Sequence, residues 1–130
     1  TKIVKEVAKE FYDNDYDIEI IEKHHNQKID APSGTAKLLY DVIHEDINET
    51  KEVYDRSTVH HKREKKEVGI QSVRAGTIFG EHSVLFAGHD EIIEVKHTAL
   101  SKEVFVQGAI SACLKIVDKD NGLFSLKNLY

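Results

Sequence analysis

Between Glu22 and Ala36 the chain places two adjacent imidazoles, His24 and His25, then Lys28, then the run Asp30-Ala31-Pro32-Ser33-Gly34-Thr35, which holds its only proline. A histidine at the end of an apolar strand face is desolvated, which disfavours its charged form. A bound anion favours that form. Such a group exchanges its proton when ligand is present. Ser33, Gly34 and Thr35 fall where a helix begins. Backbone N–H groups there lack intrahelical acceptors, and the helix dipole favours an anion. Glycine lets a ligand approach the backbone, the hydroxyls of Ser33 and Thr35 add donors, and Lys28 is a second anion contact. From the residues alone two readings stand. One is a site for a carboxylate or phosphate; the other is a polar joint with a capped helix and a structural histidine.

The elements around this stretch follow from periodicity. Ile3, Val4, Val7, Ala8 and Phe11 predict an amphipathic helix over 2–12. Residues 16–24 predict a strand with Ile18, Ile20, Glu22 and His24 on one face, while Ile21 and His25 point the other way. Pro32 and a cap from Ser33 or Asp30 start a second helix, which carries Ala36, Leu39, Tyr40, Ile43 and Ile47 and ends near Asn48–Lys51. A short extended segment near Glu52–Arg56 and an exposed charged loop follow. Strands over 68–75, 81–87 and 91–98, joined by glycine-bearing connectors, predict a meander of antiparallel neighbours. The run Val84-Leu85-Phe86-Ala87 is apolar on both faces, as in a sheet covered on both sides. A last helix over 103–117, capped by Ser101, has two apolar stripes and calls for burial on two sides. The fold class is therefore α+β, a mixed sheet of about four main strands flanked by helices.

Composition narrows the function. The 130 residues are 40% hydrophobic and 32% charged, with a net charge of −5, so no basic field suits nucleic acid. The basic cluster Lys62, Arg63, Lys65, Lys66 is diluted by Glu64 and Glu67. One cysteine, Cys113, excludes an internal disulfide and suits a reducing compartment, hence a cytoplasmic expectation. No apolar run is long enough to span a membrane, and no signal-peptide pattern is present. Starting at Thr1 without Met suggests a piece of a longer protein. The eight histidines invite a metal reading through His24-His25, His60-His61, His82, His89 or His97, but no His-Glu-x-x-His or Cys-x-x-Cys spacing supports it. The expected metal content is none. Gly-x-Gly-x-x-Gly is absent, so no dinucleotide fold is expected in this chain.

Ile20-Ile21-Glu22-Lys23-His24-His25, followed by Lys28-Ile29-Asp30-Ala31-Pro32-Ser33-Gly34-Thr35-Ala36, resembles the signature of the bacterial dihydrodipicolinate reductase (4-hydroxy-tetrahydrodipicolinate reductase) family of lysine and diaminopimelate biosynthesis. Val73-Arg74-Ala75-Gly76, Gly80-Glu81-His82, Glu94-Val95-Lys96-His97-Thr98-Ala99 and Gly122-Leu123-Phe124 agree. The resemblance implies a two-domain oxidoreductase. An N-terminal Rossmann domain binds NADH or NADPH; a C-terminal domain, here residues 1–130, binds a dicarboxylate substrate and builds a homotetramer. Residues 101–130 would pack against the nucleotide domain. By position, His24 resembles the catalytic acid/base, Lys28 the second catalytic group and His25 a substrate contact, while Ser33, Gly34 and Thr35 resemble the carboxylate-binding turn. The chain departs from the family at Tyr54–Lys66, which is charged and glycine-free where a glycine-rich loop is common. Other readings of the same residues are a non-catalytic anion-binding or assembly module and a His-rich metal-binding domain.

Overall fold

Alternation of Ile18, Ile20 and Glu22 with Glu19, Ile21 and Lys23 gives the first strand one buried side. The computed structural model describes residues 1–130, Lys127 by its backbone alone. In chain order the elements are α1 (Lys2–Asp13), β1 (Asp17–His24), α2 (Gly34–Asp46), β2 (Lys51–Val53), β3 (Glu67–Arg74), β4 (Gly80–Ala87), β5 (Ile92–Ala99), α3 (Glu103–Ile116) and α4 (Leu126–Leu129). They form two compact units, residues 1–98 and 99–130.

The five strands form one mixed sheet in the order β2-β3-β1-β4-β5, and β1 is its centre. Ile20 lies opposite Ile70 of parallel β3 and opposite Val84 of antiparallel β4. The mixed α+β sheet agrees with the sequence reading; β2 adds a short strand to the four expected. The meander holds only in its second half, where β4 and β5 are neighbours. β3 and β4 run in opposite directions but are not neighbours, because β1 lies between them. Their connector passes over the carboxyl end of β1. Ala75 N–H donates to His24 O at 2.9 Å and Asn26 N–H to Gly76 O at 3.1 Å. Gly76 turns the chain there with φ +47°, a conformation that favours glycine. A glycine connector signals reversal of direction, and adjacency does not follow from it.

Helices α1 and α2 cover one sheet face. Val4 and Ala8 of α1 and Leu39 and Ile43 of α2 pack with Ile18, Ile20, Val68, Ile70, Val84 and Phe86. On the opposite face Leu85 is only half-buried, so the two-sided cover expected for β4 is not provided within this unit. That face carries charge near β1's start. Arg63 reaches Asp17 Oδ1 at 2.5 Å, Glu19 Oε1 at 3.1 Å and Ile18 O at 3.2 Å, and also donates to Glu67 O. The glycine-free segment before β3 is thus held by an arginine fork instead of by turn chemistry. In the second unit, both apolar stripes of α3 are exposed, Phe105 at 59% and Val117 at 75% among them. The cap is close to expectation, with Glu103 N–H donating to Ser101 Oγ at 3.2 Å.

Phe86 is fully buried and stacks on Phe11 with ring centroids 4.8 Å apart. Phe86→Ala is expected to lower unfolding free energy by about 3–5 kcal/mol in urea denaturation. A loss under about 1 kcal/mol would contradict a tightly packed position.

Candidate functional site

Because β1 carries its buried side through to its end, Glu22 arrives in the interior with no exposed surface. A bare carboxylate there would be strongly unfavourable, so donors must surround it. Arg74, at the end of β3, supplies a fork: its two terminal nitrogens donate to Glu22 Oε2 at 2.8 Å and Oε1 at 2.7 Å. The Ser33 backbone N–H donates to Oε1 at 3.1 Å. His24 Nδ1 donates to Oε2 at 2.5 Å. Burial pushes the Glu22 carboxyl pKa up, but hydrogen bonds from Arg74, Ser72, His24 and Ser33 outweigh it and hold the pKa at about 2. Arg74 also donates to Asp30 O at 2.6 Å, which ties the β1–α2 loop to the same charge.

An ionised carboxylate only accepts hydrogen bonds, so the proton on His24 Nδ1 is fixed toward Glu22 and Nε2 is the free ring position. Gly80 makes room beside it: a Cβ at residue 80 would lie 3.3 Å from His24 Nε2. The His24 side chain is 12% exposed. Its ring meets that of His82 edge-on, with centroids 5.1 Å apart. Burial, then the neighbouring His24, lower the His82 pKa to about 4 against the opposing pull of Glu22; His97 and Lys28 act in the same direction as His24. Lys28 is therefore near enough to influence this pair, though its ammonium bonds Asp30 Oδ1 at 2.7 Å. The strand ends at His24, and His25 enters the turn, where its carbonyl accepts the Lys28 N–H at 3.2 Å.

Ser33 is the N-cap of α2, its Oγ accepting the Ala36 N–H at 3.2 Å. Gly34 and Thr35 open the helix, and their N–H groups have no acceptor among the described residues. A Cβ on Gly34 would meet nothing within 4 Å, so that backbone is open to a ligand. Thr35 and His82 line a cleft of about 480 Å³ with Leu39, Val84, His97 and the start of α1. Ser33 itself is buried; its hydroxyl is engaged by Ala36 N–H and by His82 Nε2 at 2.8 Å.

The predicted residues thus fall at one joint, the carboxyl end of β1 and the start of α2. Sequence reasoning missed Glu22, Arg74 and His82. The even-numbered face of β1 was the signal for Glu22, since parity put a carboxylate among isoleucines. Of the histidines in the metal reading, His24 and His82 come together, and His97 lines the same cleft as His82. Among the described residues, the one cluster close enough to share an ion is His61, Glu64 and Glu67, and Glu67 already accepts from Arg56 at 2.8 Å.

Comparison with known proteins agrees along the whole chain. The sequence pattern of the family described as dihydrodipicolinate reductase, C-terminus, matches residues 1–130. The 4-hydroxy-tetrahydrodipicolinate reductase of Exiguobacterium sibiricum is 57% identical over 115 residues, 88% of this chain and 46% of that protein. That of Clostridium novyi is 53% identical over 127 residues, 98% of this chain and 50% of that protein. The chain spans about half the length of the curated relatives it matches. A solved structure, dipicolinate-bound dihydrodipicolinate reductase from Paenisporosarcina sp. TG-14, superposes with a TM-score of 0.77 at 26% identity, covering 99% of this chain and 49% of that one.

The depressed Glu22 pKa has a definite pH signature. Its stabilisation is complete above the ordinary value of 4.5 and is lost as pH falls through about 2. Arg74→Met removes the main donor fork. It should lower stability at neutral pH by about 3–5 kcal/mol and move the onset of acid loss upward, as read by urea titrations across this range. An acid profile identical in parent and variant would contradict the assignment.

Proposed function

The chain belongs to the dihydrodipicolinate reductase C-terminal family, and from that premise we propose that it is the substrate-binding and oligomerisation domain of a two-domain reductase of lysine and diaminopimelate biosynthesis. Its substrate would be 4-hydroxy-tetrahydrodipicolinate, reduced to tetrahydrodipicolinate. The supporting observation is one buried carboxylate, Glu22, which holds both the His24 ring and the first N–H of the turn that opens α2. An acid/base group and an anion cradle are thereby fixed to a single point.

The residues present do not fit a dinucleotide. The β1–α2 turn lacks the glycine-rich pattern, and its backbone carries a proline and a Ser33 N–H already used by Glu22. NADH or NADPH would be bound by an N-terminal domain and would supply hydride to C4 of the conjugated imine that remains once the cyclic substrate has lost water. This chain binds and orients. The free N–H groups of Gly34 and Thr35 take one carboxylate at the positive end of the α2 dipole, with His25 and the Ser33 turn beside them. Lys28 turns from exposed Asp30 to the substrate, neutralises charge and assists loss of the 4-hydroxyl, which leaves as water with a hydrogen of the neighbouring ring carbon and gives a conjugated imine. An exposed pair such as Lys28–Asp30 is weak enough to exchange partners. With Nδ1–H held on Glu22, His24 presents Nε2 to the substrate. That ring delivers a proton to the carbon next to C4. The apolar stripes of α3 and the tail would pack on the nucleotide domain, and the assembly would be a cytoplasmic homotetramer.

In the full-length protein, His24→Ala should lower turnover ~10²-fold or more while dicarboxylate binding changes little. Unchanged turnover would remove His24 from the chemistry and leave an anion-binding module. The isolated chain should show no reductase activity, and joining it to a nucleotide-binding domain should restore it; turnover by the chain alone would refute the division of labour.

A further inference from the structure

Ser33 Oγ carries one hydrogen and two lone pairs. One lone pair accepts the Ala36 N–H that caps α2. The hydroxyl is buried, at 3% exposure, so water is not its other partner. What remains within reach is His82 Nε2 at 2.8 Å, from β4 on the far side of the cleft wall. The direction of this bond follows from the surroundings of His82. The groups facing it are His24 and Glu22 from β1, Lys28 from the loop and His97 from β5. Among the described residues no carboxylate hydrogen-bonds its ring. Half-burial and three cationic or potentially cationic neighbours keep the ring neutral near pH 7. A neutral ring has one accepting nitrogen, and the buried Ser33 O–H, with no other acceptor in reach, donates to Nε2 as that nitrogen.

We propose that His82 is a positioning residue for the carboxylate site: by accepting the Ser33 hydroxyl it locks the N-cap, and so fixes the aim of the Gly34 and Thr35 N–H groups. The cap then has a defined donor direction, and α2 begins in one place relative to the sheet. Glu22 grips the Ser33 N–H from β1, while His82 grips the Ser33 Oγ from β4. One serine is thus held from two strands that flank each other at the sheet centre. Thr35 and His82 line the same cleft, so an error in the helix start is an error in the ligand position. A change of about 1 Å in such a cradle is enough to weaken binding severalfold.

The inference rests on the reading that the α2 start takes a carboxylate, and the test keeps the two apart. Dipicolinate binding to the full-length protein is measured by calorimetry, beside steady-state kinetics. His82→Ala should weaken dipicolinate binding and raise KM by ~10-fold, with kcat within ~3-fold of the parent. His82→Gln sets a neutral acceptor near the place of Nε2 and should recover most of the affinity. Ser33→Ala should weaken binding to a similar extent, and the double variant should lose little more than either single one. Tight binding by His82→Ala, additive losses in the cycle, or a His82→Gln variant as weak as His82→Ala would each overturn the proposal. If His82→Ala fails to fold, the Gln variant and Ser33→Ala decide it by the same readings. A parent that does not bind dipicolinate at all would overturn the carboxylate reading and this inference with it.

Discussion

Glu22 is a charge in a place where charge is unfavourable, and much of the surrounding structure is explained by how it is held. A carboxylate with no exposed surface needs its oxygens filled by donors. Here four donors come from three parts of the chain: Arg74 and Ser72 on β3, His24 on β1, and the Ser33 N–H that precedes α2. Removing any one leaves the others misaligned around an under-solvated anion. Burying such a cluster is weak support for stability when compared with an apolar core. Its value lies in geometry. It forces a strand end, a loop and a helix start into one arrangement, which is what a binding site requires and an apolar contact would not specify.

The sheet order serves the same arrangement. With β1 in the middle, its last residue has β3 on one side and the start of β4 on the other. Arg74 and His24 are register partners, so the arginine reaches back to Glu22 along the pleat. On the opposite flank, Glu22 pairs with His82, which brings the second imidazole level with the carboxylate. Had β3 and β4 been direct neighbours, β1 could have flanked only one of them, and one of the two contacts would be lost. The connector over β1's end, with Gly76 in its turn, is the local device that permits this split.

Much of this arrangement is legible in the sequence. Period-two parity put Ile18, Ile20, Glu22 and His24 on one side of β1, and the structure agrees. The proline, serine and glycine signals placed the start of α2 at Gly34. What parity could not say is whether Glu22 was solvated at a strand end or buried, since a single carboxylate on an apolar face fits both. The answer required Arg74, fifty-two residues later, and long-range register is not encoded in local pattern. The β3–β4 half of the meander fails for the same reason: connector length and glycine content report reversal, while strand order depends on which apolar strand takes the centre. The α3 stripes were legible as apolar and are exposed, so sequence identified the surface and its cover is a separate matter.

Two histidines meet in a T-shaped contact at this joint, and different partners hold them. His24 donates an Nδ1 hydrogen bond to a carboxylate that is itself fixed by an arginine fork, which leaves Nε2 facing away from that carboxylate. His82 has a hydroxyl as its partner and a half-buried ring, so it is held neutral. Were both rings bonded to Glu22, they would compete for one charge and repel when protonated. Were neither bonded to it, the buried carboxylate would lose a donor and His24 its tautomer. Placing the charge beside one ring and the hydroxyl beside the other resolves both difficulties. It also explains why a serine precedes Gly34. Ser33 is the one residue that touches the carboxylate through its backbone and the second imidazole through its side chain, and an alanine there would keep the first contact while losing the second.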